Sequence, residues 1–538
     1  MKKKNIKLLD CTLRDGGYYN SWDFSFELIN EYLQVMHKLP VDYVEIGFRS
    51  LLRSGFKGGV AYTTEEFLDQ LNIPKGLNLG VMINASEIIK NIKNHPYTLS
   101  KLFVPAKNSK IKLVRVACHM HEFEQVLPCS KWLKKNGYKV GFNLMQISER
   151  KDKEIKQVAK LANKYPIDVL YFADSLGSMS PTRTSQIINL LKSEWKGELG
   201  IHTHDNMGRA MANSMQAISD GVSWIDSTVT GMGRGPGNLQ TEYSVIEIAE
   251  IKKKPLNIKP LISLIEKHFE PLQNFYKWGK NPYYYLSGKN AIHPSFVQEM
   301  LSDSRYDVED LLSVINKLSK DGGKKFSFEA LEKGRNFYQN KPIGSWSPIK
   351  SIKGKDVLII GSGESTTKHK NAIESFVKKL NPHVIALNAK KTIKEDLINM
   401  RAACHPFRVM SDFESHLKLP QPLAIPKSML PKELLSLLKG KKLLDFGISI
   451  KSNKFNFEDF YCTIPSPLAL AYALAIATVG KTQKIYLVGF DGYSLDDPRT
   501  KEINNLLNIF QKKDDAAEII SITNTKYKVK TISVYSML

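Results

Sequence analysis

Short runs rich in branched and aromatic residues alternate with longer amphipathic stretches over the first half of the chain. The runs are Ile6–Thr12, Val41–Phe48, Leu77–Ile83, Ile111–His119, Lys139–Gln146, Val169–Asp174, Leu199–Asp205 and Trp224–Met232. Between them, Phe26–His37, Thr64–Leu71, Ser148–Lys164 and Arg183–Trp195 repeat apolar positions at helical spacing. Eight strands alternating with helices predict a (β/α)8 TIM barrel over residues 1–250. An open doubly wound sheet is the alternative, but it rarely runs through eight consecutive units.

Residues 251–345 lose this rhythm and predict a helical extension, with helices over Pro260–Asn274, Val308–Leu318 and Glu329–Tyr338. The first two are separated by an aromatic-rich stretch in which Tyr284, Asn290 and His293 either close a site or pack between helices. Asn340–Pro348 concentrates Pro, Gly and Ser and reads as a linker. Residues 346–538 then predict a second α/β domain, Rossmann-like and doubly wound. The strand of Lys355–Ile360 runs into the turn Gly361-Ser362-Gly363, and a later strand ends at Asp491. The turn is part of a dinucleotide fingerprint, with Thr366 where the third glycine would stand. Gly361, Ser362, Gly363 and Asp491 are therefore candidates for a nucleotide or phosphate ligand, against the alternative of a turn required by tight strand–helix packing.

Charge adds a question. Lys+Arg number 77 against 54 Asp+Glu, a net charge of +23. Nucleic acid is not expected as a partner, because the lysines are spread along the whole chain with no compact arginine block. Five cysteines stand far apart without a C-x-x-C pair, which fits a reducing compartment. The N-terminal MKKKNIKLLD has no apolar signal core after it, and the longest apolar run, 467–480, is too short to span a bilayer. A cytoplasmic protein with no membrane partner is expected, and so is assembly as a homo-oligomer.

In a TIM barrel the strand C-termini build the active face. Unusual polar residues gather there: Arg14 and Asp15, Glu45 and Arg49, His119 and His121, Asn143 and Gln146, Asp174, His202, His204 and Asp205, and Arg234 and Asn238. His202-Thr203-His204 places two imidazoles on one side of a strand. Asp15 is the natural third ligand, since strands one and seven sit two apart around a closed ring of eight. Two imidazoles and a carboxylate with open positions suit a divalent cation used as a Lewis acid. The same set describes the facial triad of non-haem iron oxygenases, which usually sits on a double-sheet β fold.

The segments Asp10-Cys11-Thr12-Leu13-Arg14-Asp15-Gly16-Gly17, Val44–Phe48, Ile201–Asn206 and Gly231–Asn238 together resemble the metal-dependent aldolase and acyl-CoA lyase/synthase superfamily. Its members include 4-hydroxy-2-oxovalerate aldolase, hydroxymethylglutaryl-CoA lyase and isopropylmalate synthase. The resemblance spans residues 1–250 and continues more weakly to 345. It implies a metal (Mn2+ or Mg2+) on Asp15, His202 and His204, with Asn238 at its edge and Arg14 beside a 2-oxo oxygen. It also implies a small-molecule 2-oxo acid and an aldehyde as the reacting partners. Glu45 is expected either to anchor Arg14 or a water, or to be a buried ion-pair partner. The strand-eight loop lacks the cysteine of the lyase branch, and Tyr18 stands near the position where the aldolases carry a histidine base. Proton transfer therefore falls to Tyr18 or to a loop histidine, His119 or His121, unless these histidines are merely exposed. The C-terminal stretch resembles Rossmann-like domains of some bacterial sugar transferases, which implies a place in sugar or surface-glycan metabolism. The leading expectation is a pyruvate-type aldolase. The alternatives are an acyl-CoA-dependent Claisen synthase on the same barrel and a non-catalytic scaffold with a degenerate barrel.

Overall fold

The computed structural model describes residues 6–52, 56–90, 94–302, 308–320, 341–430, 432–493 and 497–538. The expected helix Glu329–Tyr338 lies outside the described residues. The chain divides into two compact units, one built on the residues up to 307 and the other on those from 325 onward, with residues 308–324 divided between them.

In the first unit eight parallel strands close into a barrel in chain order. They are β1 (Lys7–Asp10), β2 (Tyr43–Phe48), β3 (Leu79–Asn84), β4 (Ile111–Cys118), β5 (Lys139–Leu144), β6 (Val169–Asp174), β7 (Glu198–Thr203) and β8 (Trp224–Ser227). The intervening helices bury one stripe each. In Asp152–Ala162 the buried residues are Ile155, Val158, Ala159 and Ala162, spaced three, four and seven apart. Ser25, Thr64 and Ser180 cap three of these helices through their side-chain oxygens.

Alternation along each strand separates two cores. One face, including Val114 and Val116 of β4, joins the barrel–helix core. The other fills the barrel with Leu9, Cys11, Leu113, Val169, Tyr171 and Trp224. The bottom of the barrel is plugged by Trp224, which lies 4.8 Å from the Tyr43 ring and donates to Glu198. A register shift between Glu45 and Gly47 offsets β2 by one position. It allows Glu45 to pair with Arg115 inside the barrel while Phe48 packs with Met82 and Ala117 near its upper rim.

The extension after β8 is helical over Lys259–Leu264, Ile265–Phe269 and Glu270–Tyr276 without a break in direction, the middle turn being wound as a π-helix. The aromatic stretch also folds into helices, Pro282–Lys289 and Pro294–Ser302, and a further helix covers Val308–Lys320.

The second unit contains β9 (Val357–Ile360), β10 (His383–Leu387), β11 (Met400–Ala402), β12 (Leu423–Ile425), β13 (Leu443–Asp445), β14 (Gly447–Ile450), β15 (Asn456–Glu458), β16 (Tyr461–Ile464), β17 (Lys484–Val488), β18 (Glu518–Ser521) and β19 (Lys530–Thr531). Its main sheet is parallel and ordered β13-β12-β11-β10-β9-β17-β18-β19, with a separate small sheet β14-β16-β15. Strand order reverses once, between β9 and β17, the arrangement of a doubly wound α/β domain. The long apolar run forms the helix Ala469–Val479, buried on every side within this unit. Among the described residues no helix is long and apolar enough to cross a membrane. The segment read as a linker is packed: Ser345 donates to Asp445, and Gly344 lies so close to the backbone of Phe460 and Gly447 that a Cβ would not fit.

Phe142 is fully buried and meets the Phe123 ring edge-on at 5.7 Å. Phe142→Ala is expected to destabilise the first unit by about 3–5 kcal/mol. The check is its unfolding midpoint in urea; a midpoint equal to that of the parent would contradict this packing.

Candidate active site at the C-terminal end of the barrel

The turn that carries Arg14 and Asp15 is built by Asp10. Its carboxylate accepts bonds from the Thr12 N–H (2.9 Å) and hydroxyl (2.5 Å), and from the Tyr32 and Thr241 hydroxyls. Strand β1 therefore stops at Asp10 and turns into the short helix Thr12–Gly16. Thr12 Oγ1 also accepts from the Val229 N–H at 2.8 Å, which ties the turn to the loop after β8. Gly16 and Gly17 follow because of close approach: a Cβ on Gly16 would lie 2.4 Å from the Met232 sulfur, and one on Gly17 would lie 2.0 Å from the Trp22 ring.

His202 and His204 stand side by side at the end of β7 with ring centroids 5.0 Å apart. His202 Nε2 is 3.5 Å from Asp15 Oδ2, and its Nδ1 is 3.0 Å from Asp226 Oδ2. His204 Nδ1 is 2.8 Å from the Asp174 carbonyl oxygen. The acceptor on His204 Nδ1 selects the Nδ1–H form of that neutral ring and leaves an Nε2 lone pair; His202 faces a carboxylate at each nitrogen, and its Nε2 becomes a donor atom once the proton on that side is lost. Burial and the neighbouring His202 push His204 down to about 4, so it is neutral at ordinary pH. Burial opposes charge on His202 as well, but Asp15 and Asp226 outweigh it and raise its pKa. Burial likewise opposes the Asp15 carboxylate, and Arg14 and His202 overcome it, holding Asp15 ionised well below the usual range.

Asn238 donates to Asp15 Oδ2, and its own Oδ1 is buried without a hydrogen-bond partner. Ligand atoms of Cys11, Asp15 and His202 all lie within 4.8 Å of one another, which makes a candidate metal site. His204, expected as a ligand, stands beside His202 but outside this group; the Asp15 carboxylate, the His202 imidazole and the orphaned Asn238 amide oxygen are donors of the kind a divalent cation takes. Cys11 was not singled out from the sequence. Its position, just past the end of β1, buried in the barrel interior one turn before Asp15, is the signal that would have found it.

Below these side chains lies a closed ring of charge. Arg14 Nη1 donates to Asp15 Oδ1 at 2.7 Å, and Arg14 Nε donates to Glu45 Oε1 at 2.7 Å. Arg115 donates to both Glu45 oxygens, at 2.5 and 2.7 Å, and to Asp226 Oδ2 at 2.7 Å. Asp226 returns to His202, and His202 to Asp15. Glu45 thus anchors Arg14 with both of its oxygens engaged. Arg14 Nη2 is buried and unpartnered, a free donor beside the ligands. Arg115 and Asp226 were also missed in the sequence. A charged residue at an inward position of an otherwise apolar strand, as in Ile-Lys-Leu-Val-Arg-Val, was the available signal.

A family model described as HMGL-like matches residues 5–266. The 4-hydroxy-2-oxovalerate aldolase of Pelotomaculum thermopropionicum is 30% identical over 261 residues, 46% of this chain and 70% of that protein. The enzyme of the same name from Carboxydothermus hydrogenoformans is 30% identical over 262 residues, covering 46% and 72%. The chain belongs to the HMGL-like family. Among solved structures, the N-terminal domain of a candidate aldolase from Bacteroides vulgatus is similar at 32% identity and a TM-score of 0.51, covering 56% of this chain and 98% of that one. The family and the aldolase-named relatives support a lyase of aldolase type on a TIM barrel.

Within the HMGL-like barrel, Tyr18 is half-buried on the turn after Asp15, 4.8 Å from the Trp22 ring, with the Arg234 guanidinium 3.7 Å above its own ring. His119 is half-buried just past β4, at the start of the helix Met120–Val126, where its N–H donates to Glu122 and its ring stacks on His121 at 5.6 Å. Tyr284 is buried against Gly235 of the loop after β8. A cavity of about 270 Å³ borders Asn238, lined also by Asp205, Thr230, Gln240, Trp278 and Lys280.

In the second unit, Gly361, Ser362, Gly363 and Asp491 all sit at the strand-order reversal, beyond the ends of β9 and β17. The Gly361 and Gly363 N–H groups donate to Val488 and Gly489, and the Ser365 N–H donates to Asp491 Oδ2 at 2.9 Å. Three donors of the turn are therefore satisfied by the protein itself. A ligand anion bound at Ser365 would have to replace the Asp491 carboxylate.

Burial raises the Asp174 carboxyl to about 7 from an ordinary 3.8. A carboxyl raised on folding holds its proton more tightly in the folded state. Its contribution is complete below the ordinary value and is lost as pH rises through about 7. Asp174→Asn should therefore lose less stability than the parent between about pH 4 and about pH 7. Urea midpoints across that range provide the check, and parallel pH profiles would contradict the shift.

Proposed function

We propose that this protein is a divalent-metal-dependent aldolase that breaks or makes the carbon–carbon bond beside a 2-oxo acid of pyruvate type, with an aldehyde as the other partner. The observation that carries this reading is Asp15 Oδ2 3.5 Å from His202 Nε2, with the His204 ring 5.0 Å from that of His202 and both Nδ1 atoms already engaged. Asp15 and the two Nε2 atoms would hold the cation, with Asn238 Oδ1 at its edge. When bound, the cation supplies Lewis-acid polarisation of the keto oxygen and carboxylate of the substrate.

The chain's own residues then have defined tasks in the cleavage direction. A base takes the proton of the hydroxyl on carbon four. The bond between carbons three and four breaks, its electrons enter an enolate, and the aldehyde departs. Arg14, clamped by Asp15 and Glu45, presents its free Nη2 as a fixed positive pole for the enolate oxygen. A proton delivered to carbon three completes pyruvate. Tyr18, on the same turn as Asp15, is assigned the proton transfer, with His119 as the competing carrier.

The test is pyruvate release from 4-hydroxy-2-oxo acids after chelation and after return of Mn2+ or Mg2+. Restored cation should restore turnover, and Asp15→Asn should lower kcat/KM by about 10³-fold or more while far-UV circular dichroism stays unchanged. Loss of about 10²–10⁴-fold in kcat in Tyr18→Phe, but not in His119→Ala, supports the tyrosine; the reverse transfers the role to His119. Turnover indifferent to chelation and to Asp15→Asn would overturn the proposal.

A further inference from the structure

Beneath the ligands, the barrel interior changes character. Leu9, Leu113, Val169 and Trp224 fill it with apolar volume, yet Glu45, Arg115 and Asp226 occupy the same interior with no solvent exposure beyond 1%. Buried ion pairs are seldom the more stable choice, because desolvation consumes most of the Coulomb gain and apolar residues of similar volume usually serve as well. Three ionised groups at this depth therefore call for a reason other than stability.

Their geometry supplies one. Asp226 Oδ2 accepts two bonds, from Arg115 Nη1 at 2.7 Å and from His202 Nδ1 at 3.0 Å, while Oδ1 has no partner. Arg115 is itself held on two sides. Both Glu45 oxygens grip it through Nε and Nη2, and the Tyr171 ring lies 4.5 Å from its guanidinium carbon. The carboxylate that meets His202 is thus held by an arginine that is itself gripped by Glu45 and packed on Tyr171.

We infer that Asp226, braced by Arg115, is a positioning residue: it holds the His202 proton on Nδ1 and aims Nε2 at the Asp15 side of the site. Through Glu45 the same brace reaches Arg14, so the imidazole and the guanidinium are set by one rigid framework. This role rests on the reading of Asp15, His202 and His204 as metal ligands.

The experiment titrates Mn2+ into the chelated full chain and follows free Mn2+ by electron paramagnetic resonance, for the parent, Asp15→Asn and Asp226→Ala. The parent should bind Mn2+, and Asp15→Asn should abolish binding. Asp226→Ala should weaken it by about 10- to 100-fold, the usual effect of removing a carboxylate from a ligand histidine. Nitrogen-15 spectra of the Mg2+-loaded protein add a readout that looser packing alone would not move. His202 should be a single Nδ1–H tautomer in the parent and should lose that single form in Asp226→Ala. If Asp226→Ala does not fold, Arg115→Met with Asp226→Leu removes the pair together, keeps apolar volume and leaves Glu45 its bond to Arg14; the same weakening is expected. Parent-like Mn2+ affinity and an unchanged tautomer in a folded variant lacking Asp226 would overturn the positioning role alone. A parent that binds no Mn2+, or binding unaffected by Asp15→Asn, would overturn the metal reading and this role with it.

Discussion

The clamp of Arg14 between Asp15 and Glu45 is the interaction on which the rest of the site depends. It fixes the turn after β1 that brings the Asp15 carboxylate to the His202 imidazole of β7, and it does so with bonds of 2.7 Å on either side. From Glu45 the charges continue through Arg115, Asp226 and His202 back to Asp15. Each buried charge in this ring has an opposite neighbour, which is the condition under which a protein interior tolerates ions at all. Removing one member would leave its partners uncompensated, so the ring behaves as a unit.

Barrel topology makes such a ring achievable. Closure brings β1 and β8 into register, pairing Asp10 with Ser227, so side chains far apart in sequence meet. Inward positions of β2, β4 and β8 then face one another across the interior, where Glu45, Arg115 and Asp226 stand. In the proposed reading the strand ends carry the ligands and the layer beneath carries the groups that orient them. This is a division of labour between the face that does chemistry in such barrels and the core that supports it.

Much of this architecture is legible in the sequence, and the shortfalls have physical causes. Val169–Asp174 is found as expected, because a continuous apolar run ends in a charged residue at the rim. β1 ends two residues earlier than its apolar pattern suggests, because the Asp10 carboxylate captures Thr12 and turns the chain. The expected run Trp224–Met232 is a strand only to Ser227; beyond it Thr230 takes a positive φ of 53° and the chain folds into a tight turn. Between β10 and the helix Ala469–Val479 the chain holds β11 to β16, strands of three or four residues that are too short to display alternation. Asp15, His202 and His204 were visible as polar residues at strand ends. Arg115 and Asp226 were not, because alternation alone does not say whether an inward strand position meets apolar volume or an opposite charge.

The most direct measurement is anomalous diffraction at the manganese edge from crystals of the full chain grown with Mn2+ and oxalate, a planar mimic of the pyruvate enolate. A single strong peak in bonding range of Asp15, His202 Nε2 and His204 Nε2, with oxalate facing Arg14, is the result this account predicts. A manganese peak elsewhere, or none in the presence of saturating Mn2+, would contradict it.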